Sequence, residues 1–261
     1  MITTNRAGQR RGTANVLSKI PAVTRYFWMI KILCASVGAA AVSYLDGTLE
    51  FGLANTTFVT GLVLVLVLAI QFGTEHYVAG AYWLCLALFG VLGILIFDDV
   101  TQQFGLAAWV GAVVFALGLA VTFVGWFATE RNLALRNITT AHRESWYWLA
   151  VLFAFALGTG IGDLVADDFQ PGSLSSLLLF GSAIAVTAVA YSRFRLPSGV
   201  AFWVAFVLTG PLGSSIGDLV ARARSHHGLG LGTNRTSLVF LVAIVAVVSY
   251  LAISERDVIE G

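Results

Sequence analysis

Tyr147-Trp148-Leu149-Ala150-Val151-Leu152-Phe153-Ala154-Phe155-Ala156-Leu157-Gly158-Thr159-Gly160-Ile161-Gly162-Asp163 is the stretch from which the architecture follows. An aromatic pair ending in Trp is followed ten residues later by Gly and fifteen residues later by Asp. The same spacing recurs at Tyr82-Trp83, Gly93 and Asp98, and again at Phe202-Trp203, Gly213 and Asp218. It recurs once more at Phe27-Trp28, Gly38 and Ser43, where Ser stands in place of Asp. Fixed offsets between otherwise different residues mark an internal repeat. A carboxylate returning at one place in apolar sequence also needs a reason to be there.

The chain has 261 residues, of which 58% are hydrophobic and 11% charged. Its mean hydropathy is +0.85. Soluble domains carry about 25% charged residues. A soluble fold has no means of hiding this much apolar surface, so lipid is the expected solvent for most of it.

Eight apolar segments run over about 26–45, 53–72, 80–97, 104–128, 145–166, 174–192, 198–220 and 236–253. Each is long enough to cross about 30 Å of hydrocarbon as a helix. Turn signals separate them: Asp46-Gly47, Gln170-Pro171-Gly172, Leu196-Pro197-Ser198 and the glycine-rich run from Gly228 to Gly232. The repeat unit is therefore two helices, about 26–79, 80–144, 145–197 and 198–253. Trp28 and Trp148 are 120 residues apart, as are Trp83 and Trp203, so a four-helix half is duplicated. An even number of spans per unit makes the copies parallel. The expected fold is an all-α membrane protein: one eight-helix domain over 26–253, a basic tail over 1–25 and a short tail over 254–261.

Orientation follows from Lys and Arg. Eleven of the fifteen fall in the N-terminal tail, the central loop, the sixth-to-seventh loop and at Arg256. Three, Arg222, Arg224 and Arg235, fall on the other side. The positive-inside rule places both termini in the cytoplasm. The basic start followed by an apolar run has the look of a secretory signal. Lys31 interrupts that run, however, and the run is itself the first repeat copy, so it is read as part of the fold.

Trp28, Trp83, Trp148 and Trp203 then stand at the cytoplasmic interface, where amphipathic rings anchor helices. At 1.5 Å per residue the repeat glycines lie about 15 Å along each span and the aspartates about 22 Å along. Asp98, Asp163 and Asp218 are expected to share one layer in the outer half, completed by Ser43, with Asp46 nearby. Gly38, Gly93, Gly158, Gly162, Gly213 and Gly217 permit close helix packing in lipid. Thr159 and Ser214 lie one turn before Asp163 and Asp218, as candidate neutral oxygens. Pro211 is expected to free backbone carbonyls within its span.

Buried like charges do not all stay ionised without a counter-ion, so this layer suits a proton or a small hard cation. The alternative is that the aspartates end helices or bond to neighbouring backbone. Lys31 has two readings: a stem that snorkels to the cytoplasmic surface, or a charge partner inside the bundle. Cys34 and Cys85 read as small buried residues. His226 and His227 read as a solvated loop, with anion capture as the lesser reading, and Gln71, Glu75, His76 and Tyr77 as a plain turn, with the lining of a cytoplasmic mouth as the lesser reading. No phosphate-binding glycine loop, zinc-protease helix or nucleophile elbow appears, which excludes the enzymes built on them, and nothing beyond a basic tail suggests nucleic-acid binding.

Trp28-Met29-Ile30-Lys31, Leu157-Gly158-Thr159-Gly160-Ile161-Gly162-Asp163, Leu208-Thr209-Gly210-Pro211-Leu212-Gly213 and His227-Gly228-Leu229-Gly230-Leu231-Gly232 together resemble a bacterial family of integral membrane proteins. That family is known only as a repeat of unknown function. The resemblance implies four tandem two-helix repeats, each with a characteristic Trp, and no established reaction. In the family the first repeat has an acidic residue after its Gly and Asp five residues after it, where this chain has Ala39 and Ser43. An Arg precedes the fourth-repeat Pro in the family, and here it is Gly210.

Two functions follow as expectations. One is a transporter or permease, not an enzyme and without a cofactor, whose intramembrane carboxylates bind a cation or relay protons. The other is a non-catalytic membrane scaffold or partner subunit with structural aspartates.

Overall fold

The computed structural model describes residues 18–43, 45, 52–135, 138–169, 172–222, 229–254 and 256, with Ser43, Asp168 and Phe169 described as backbone. Among the described residues there are eight helices and no strand. They are α1 Arg25–Ser43, α2 Leu53–Gly73, α3 Ala79–Phe104, α4 Ala108–Glu130, α5 Ala141–Phe169, α6 Ser173–Arg193, α7 Ser198–Ala221 and α8 Thr233–Ser254. Each is long and apolar enough to cross a membrane.

Local chemistry explains where the helices stop. Gly105 closes α3 in the left-handed conformation, at φ 60°, where its amide reaches back to the carbonyls of Gln102 and Thr101. Arg131 closes α4 in the same conformation, at φ 55°. Pro197 precedes α7, where a missing N–H costs nothing.

The helices sort into two layers. α1, α3, α5 and α7 form a closed inner ring, each touching the next and α7 returning to α1. α2 packs on α3, α4 on α5, α6 on α7 and α8 on α1. The second helix of each sequence unit therefore covers the first helix of the following unit, and the last covers the first. The outer helices show the consequence. Large apolar side chains such as Phe58, Leu66, Val121, Val124, Leu178, Val186 and Ile253 face outward from them. An apolar exterior of this extent suits lipid and not water.

The four repeat glycines occupy equivalent places in the ring. Gly38 of α1 faces the backbone of Gly90 and Val91 in α3. Gly93 of α3 faces Phe155 and Ala156 in α5, and Gly158 of α5 faces the Val207 carbonyl, Gly210 and Pro211 in α7. Gly213 of α7 faces Ile32, Ala35 and Ser36 in α1. At Gly213 a Cβ would stand 2.6 Å from the Ile32 carbonyl oxygen, a separation no side chain tolerates. Ser36 fastens the same seam by donating its hydroxyl proton to the Gly213 carbonyl at 2.5 Å. Pro211 sits inside α7 and deprives the Val207 carbonyl of its ladder partner. That carbonyl lies against Gly158, so the freed acceptor is spent on a helix contact.

Candidate functional site

The aromatic pairs form a second closed belt, at the end where the inner helices begin. The first ring of each pair meets the Trp of the next unit: Phe27 with Trp83 at 5.5 Å, Tyr82 with Trp148 at 5.4 Å, Tyr147 with Trp203 at 6.1 Å and Phe202 with Trp28 at 5.6 Å. Phe27 and Phe202 also touch at 5.7 Å. Tyr82 and Tyr147 join through their hydroxyls at 2.5 Å, and both side chains are fully buried. The belt fills one end of the ring with packed aromatic surface. This corrects the anchoring role expected for the tryptophans. Trp83, Trp148 and Trp203 are buried and Trp28 is half-buried, because their rings interlock between helices. Two indole N–H groups find partners: Trp83 donates to the half-buried Tyr77 hydroxyl and Trp148 to the buried Glu144.

One turn inside the belt lies Lys31. The expectation that its stem reaches the surface is overturned, since the residue is 0% exposed. Its Nζ stands 3.7 Å from the ring centroid of Phe155 and 4.1 Å from that of Phe206. The amine has no hydrogen-bond partner among the described residues. Three inner helices thus converge on one amine, α1 supplying it and α5 and α7 supplying the aromatic faces. The ring quadrupoles favour a cation there. The residues three beyond the other tryptophans are Leu86, Val151 and Phe206, all apolar. The architecture therefore does not itself demand a charge at this position.

Outside the belt a buried polar cluster holds the chain's N-terminal segment in place. Lys19 donates its Nζ to Glu144 at 3.0 Å and to the Phe72 carbonyl at 3.1 Å. Gln71 donates to the other Glu144 oxygen at 2.9 Å, and the Lys19 amide donates to the Ile138 carbonyl. Glu144 and Gln71 are fully buried. The reading of Gln71 as part of a plain turn is corrected: it belongs to the last turn of α2 and reaches α5. Sequence reasoning missed Lys19 and Glu144 because they are 125 residues apart, in a tail and a loop end that both look solvated.

The acidic positions lie toward the far end of the inner helices. Asp163 is half-buried and Asp167, one turn on, is exposed. Asp98 is half-buried, and its neighbour Asp99 accepts a hydrogen bond from Thr57 of α2 at 2.6 Å. Asp218 is exposed and pairs with Arg222, one turn on in sequence, at 3.0 Å. Among the described residues no three His, Cys, Asp or Glu side chains are grouped so as to hold a metal ion. A metal gripped by Asp98, Asp163 and Asp218 together is thus not what the fold assembles. Asp218 is engaged along its own helix, and Thr57 engages Asp99. Thr159 and Ser214 bond back to the carbonyls of Phe155 and Gly210 on their own helices. The Ser43 side chain, Asp46, His226 and His227 lie outside the described residues. Cys34 and Cys85 are free and buried.

Two shallow apolar grooves lie on the outer faces of the bundle. One is on α6 between Ser182 and Phe194, the other on α4 and the following loop between Phe123 and Leu133. Neither reaches Lys31 or the acidic end.

Over the described residues these features define an all-helical architecture of eight helices, each long and apolar enough to span a bilayer, with an inner ring closed at one end. The chain belongs to the family described as Repeat of Unknown Function (DUF347), which matches residues 26–77, 146–196 and 201–257. The stretch between the first two matches contains Tyr82, Trp83 and Gly93, which make the same kind of ring contacts as their counterparts. No curated protein and no solved structure matches the chain.

Proposed function

We propose that the chain is a multi-pass transporter or permease of the bacterial inner membrane, not an enzyme, which moves protons or a small cation along the axis of the inner helix ring. Both termini lie on the cytoplasmic side in this reading, so the aromatic belt closes the cytoplasmic end and the aspartates face outward. Lys31 is the ionisable group of the inner half, and Asp163, with Asp98, is that of the outer half.

The single observation that carries this reading is the Lys31 amine: fully buried, without a hydrogen-bond partner among the described residues and held between two phenyl faces. An ionisable group within a span is costly, and such groups concentrate on ion and proton pathways. Because Leu86, Val151 and Phe206 fill the corresponding positions, packing alone offers no reason for lysine. The test is proton and alkali-cation flux into liposomes carrying wild type, Lys31→Met or Asp163→Asn. Flux abolished by Lys31→Met supports the reading, and flux indifferent to both substitutions removes it.

A scaffold or partner-subunit reading has its own support in Asp99 and Asp218, whose carboxylates are spent on Thr57 and Arg222. It forecasts that substitutions at Asp163 and Lys31 alter stability alone.

A further inference from the structure

The segment Ser18–Thr24, just ahead of α1, is not helical, yet Ser18, Lys19 and Ile20 are buried. Lys19 is the reason it stays. Its amine sits on the carbonyl of Phe72 in the last turn of α2, where the helix dipole is negative, and on Glu144 in the first turn of α5. Side-chain exposures of 7% and 0% make this a buried ion pair. Burying two charges offsets much of their attraction, and apolar residues would hold a static contact at least as well. An ion pair differs in one respect: it is strong when both partners are present and exposes hydratable groups when it separates.

The pair is mechanically tied to the aromatic belt. Glu144 accepts a hydrogen bond from the Trp148 indole one turn further along α5. Between them, Tyr147 supplies one of the two hydroxyls that join across the belt to Tyr82. The first two turns of α5 thus carry both the clamp outside the belt and one half of the belt's polar joint. The clamp's other half is a non-helical strap that can lift without unwinding a helix.

We infer that the Lys19–Glu144–Gln71 cluster is a latch on the end of the inner ring where the helices begin, and that its release lets the belt part and admits water toward Lys31. The inference rests on the transporter reading for its purpose, but not for its test. Cys34 is a native reporter: it lies one turn beyond Lys31, inside the belt, and is 1% exposed.

In a Cys85→Ala background, alkylation of Cys34 by a small maleimide is timed in detergent-solubilised full-length protein. Wild type reacts slowly. Lys19→Met and Glu144→Gln each raise the rate by at least about tenfold, as expected when a local opening becomes cheaper. A second reporter, Ser215→Cys in the buried part of α7, separates latch release from unfolding, because it stays slow throughout. Unchanged Cys34 rates in both single variants overturn the latch, as does equal acceleration at both reporters. Flux lost in Lys31→Met with no latch effect on Cys34 sinks the latch alone. A working latch in a protein that moves no ion sinks the transporter reading alone.

Discussion

The Nζ of Lys31 stands 3.7 Å from the ring centroid of Phe155, so an ionisable group of α1 meets an aromatic group of α5, and among the described residues the amine has no hydrogen-bond partner. A buried, unpaired amine is a stability liability. Lys31→Met keeps the length of the stem and removes the charge. Its melting temperature is expected to equal or exceed that of wild type. A gain of about 1 kcal/mol appears as roughly 2–4 °C in a chain of this size. A marked fall in thermal unfolding experiments would mean that the amine has a structural partner.

The ring seams make a graded prediction. Gly213→Ala drives a Cβ to 2.6 Å from the Ile32 carbonyl and 2.7 Å from the Ala35 Cβ, both on a packed helix. Overpacking of this kind costs about 1–3 kcal/mol, and more where backbone is struck. Gly38→Ala meets nothing closer than 3.6 Å and is expected to be nearly neutral. The yield of monodisperse protein and its melting temperature, compared for the two variants, check this. Equal behaviour would mean that α1 and α7 do not touch as described.

Tyr82 and Tyr147 offer a double-mutant cycle. Removing one hydroxyl leaves the other buried without its partner, at a cost of about 1–3 kcal/mol. Removing both leaves a Phe–Phe contact there, like the Phe27–Phe202 side of the ring. Tyr82→Phe/Tyr147→Phe should therefore be less destabilised than the sum of the single variants. Additive losses in unfolding measurements would contradict a shared hydrogen bond.

The aspartates should separate by burial. Asp218 is exposed and, among the described residues, is paired with Arg222. Pairs of that kind contribute about 0.3–0.5 kcal/mol, so Asp218→Asn is expected to leave both stability and flux close to wild type. Asp163→Asn, at a half-buried position, is expected to lower flux at unchanged melting temperature. The reverse order of effects in paired flux and melting assays would shift the outer half of the pathway from α5 to α7.

The legible part of this fold was the part written as spacing. Eight apolar runs became eight helices, and glycines ten residues after each tryptophan became the seams of one ring. Backbone approach needs a missing Cβ at a fixed height, and that leaves a trace in sequence. The tryptophans were legible as a set but not as a belt. An interfacial anchor and an interlocked ring require the same residue at the same end of a helix, and only the closing of α7 on α1 decides between them. Lys31 was left with two readings for a similar reason: a lysine one turn into a span snorkels unless neighbouring helices cover it, as those bearing Phe155 and Phe206 do here. Lys19, Gln71 and Glu144 left no signal, since each sits at an element's edge among polar residues and only the tertiary fold joins them.

The most direct measurement is proton uptake into liposomes loaded with a pH-sensitive dye and energised by a potassium diffusion potential, with wild type and Lys31→Met reconstituted at equal density. The account predicts uptake well above empty liposomes for wild type and a return to the empty-liposome rate for Lys31→Met, in protein that remains folded. Equal uptake by the two proteins would contradict it, as would wild type that moves neither protons nor alkali cations.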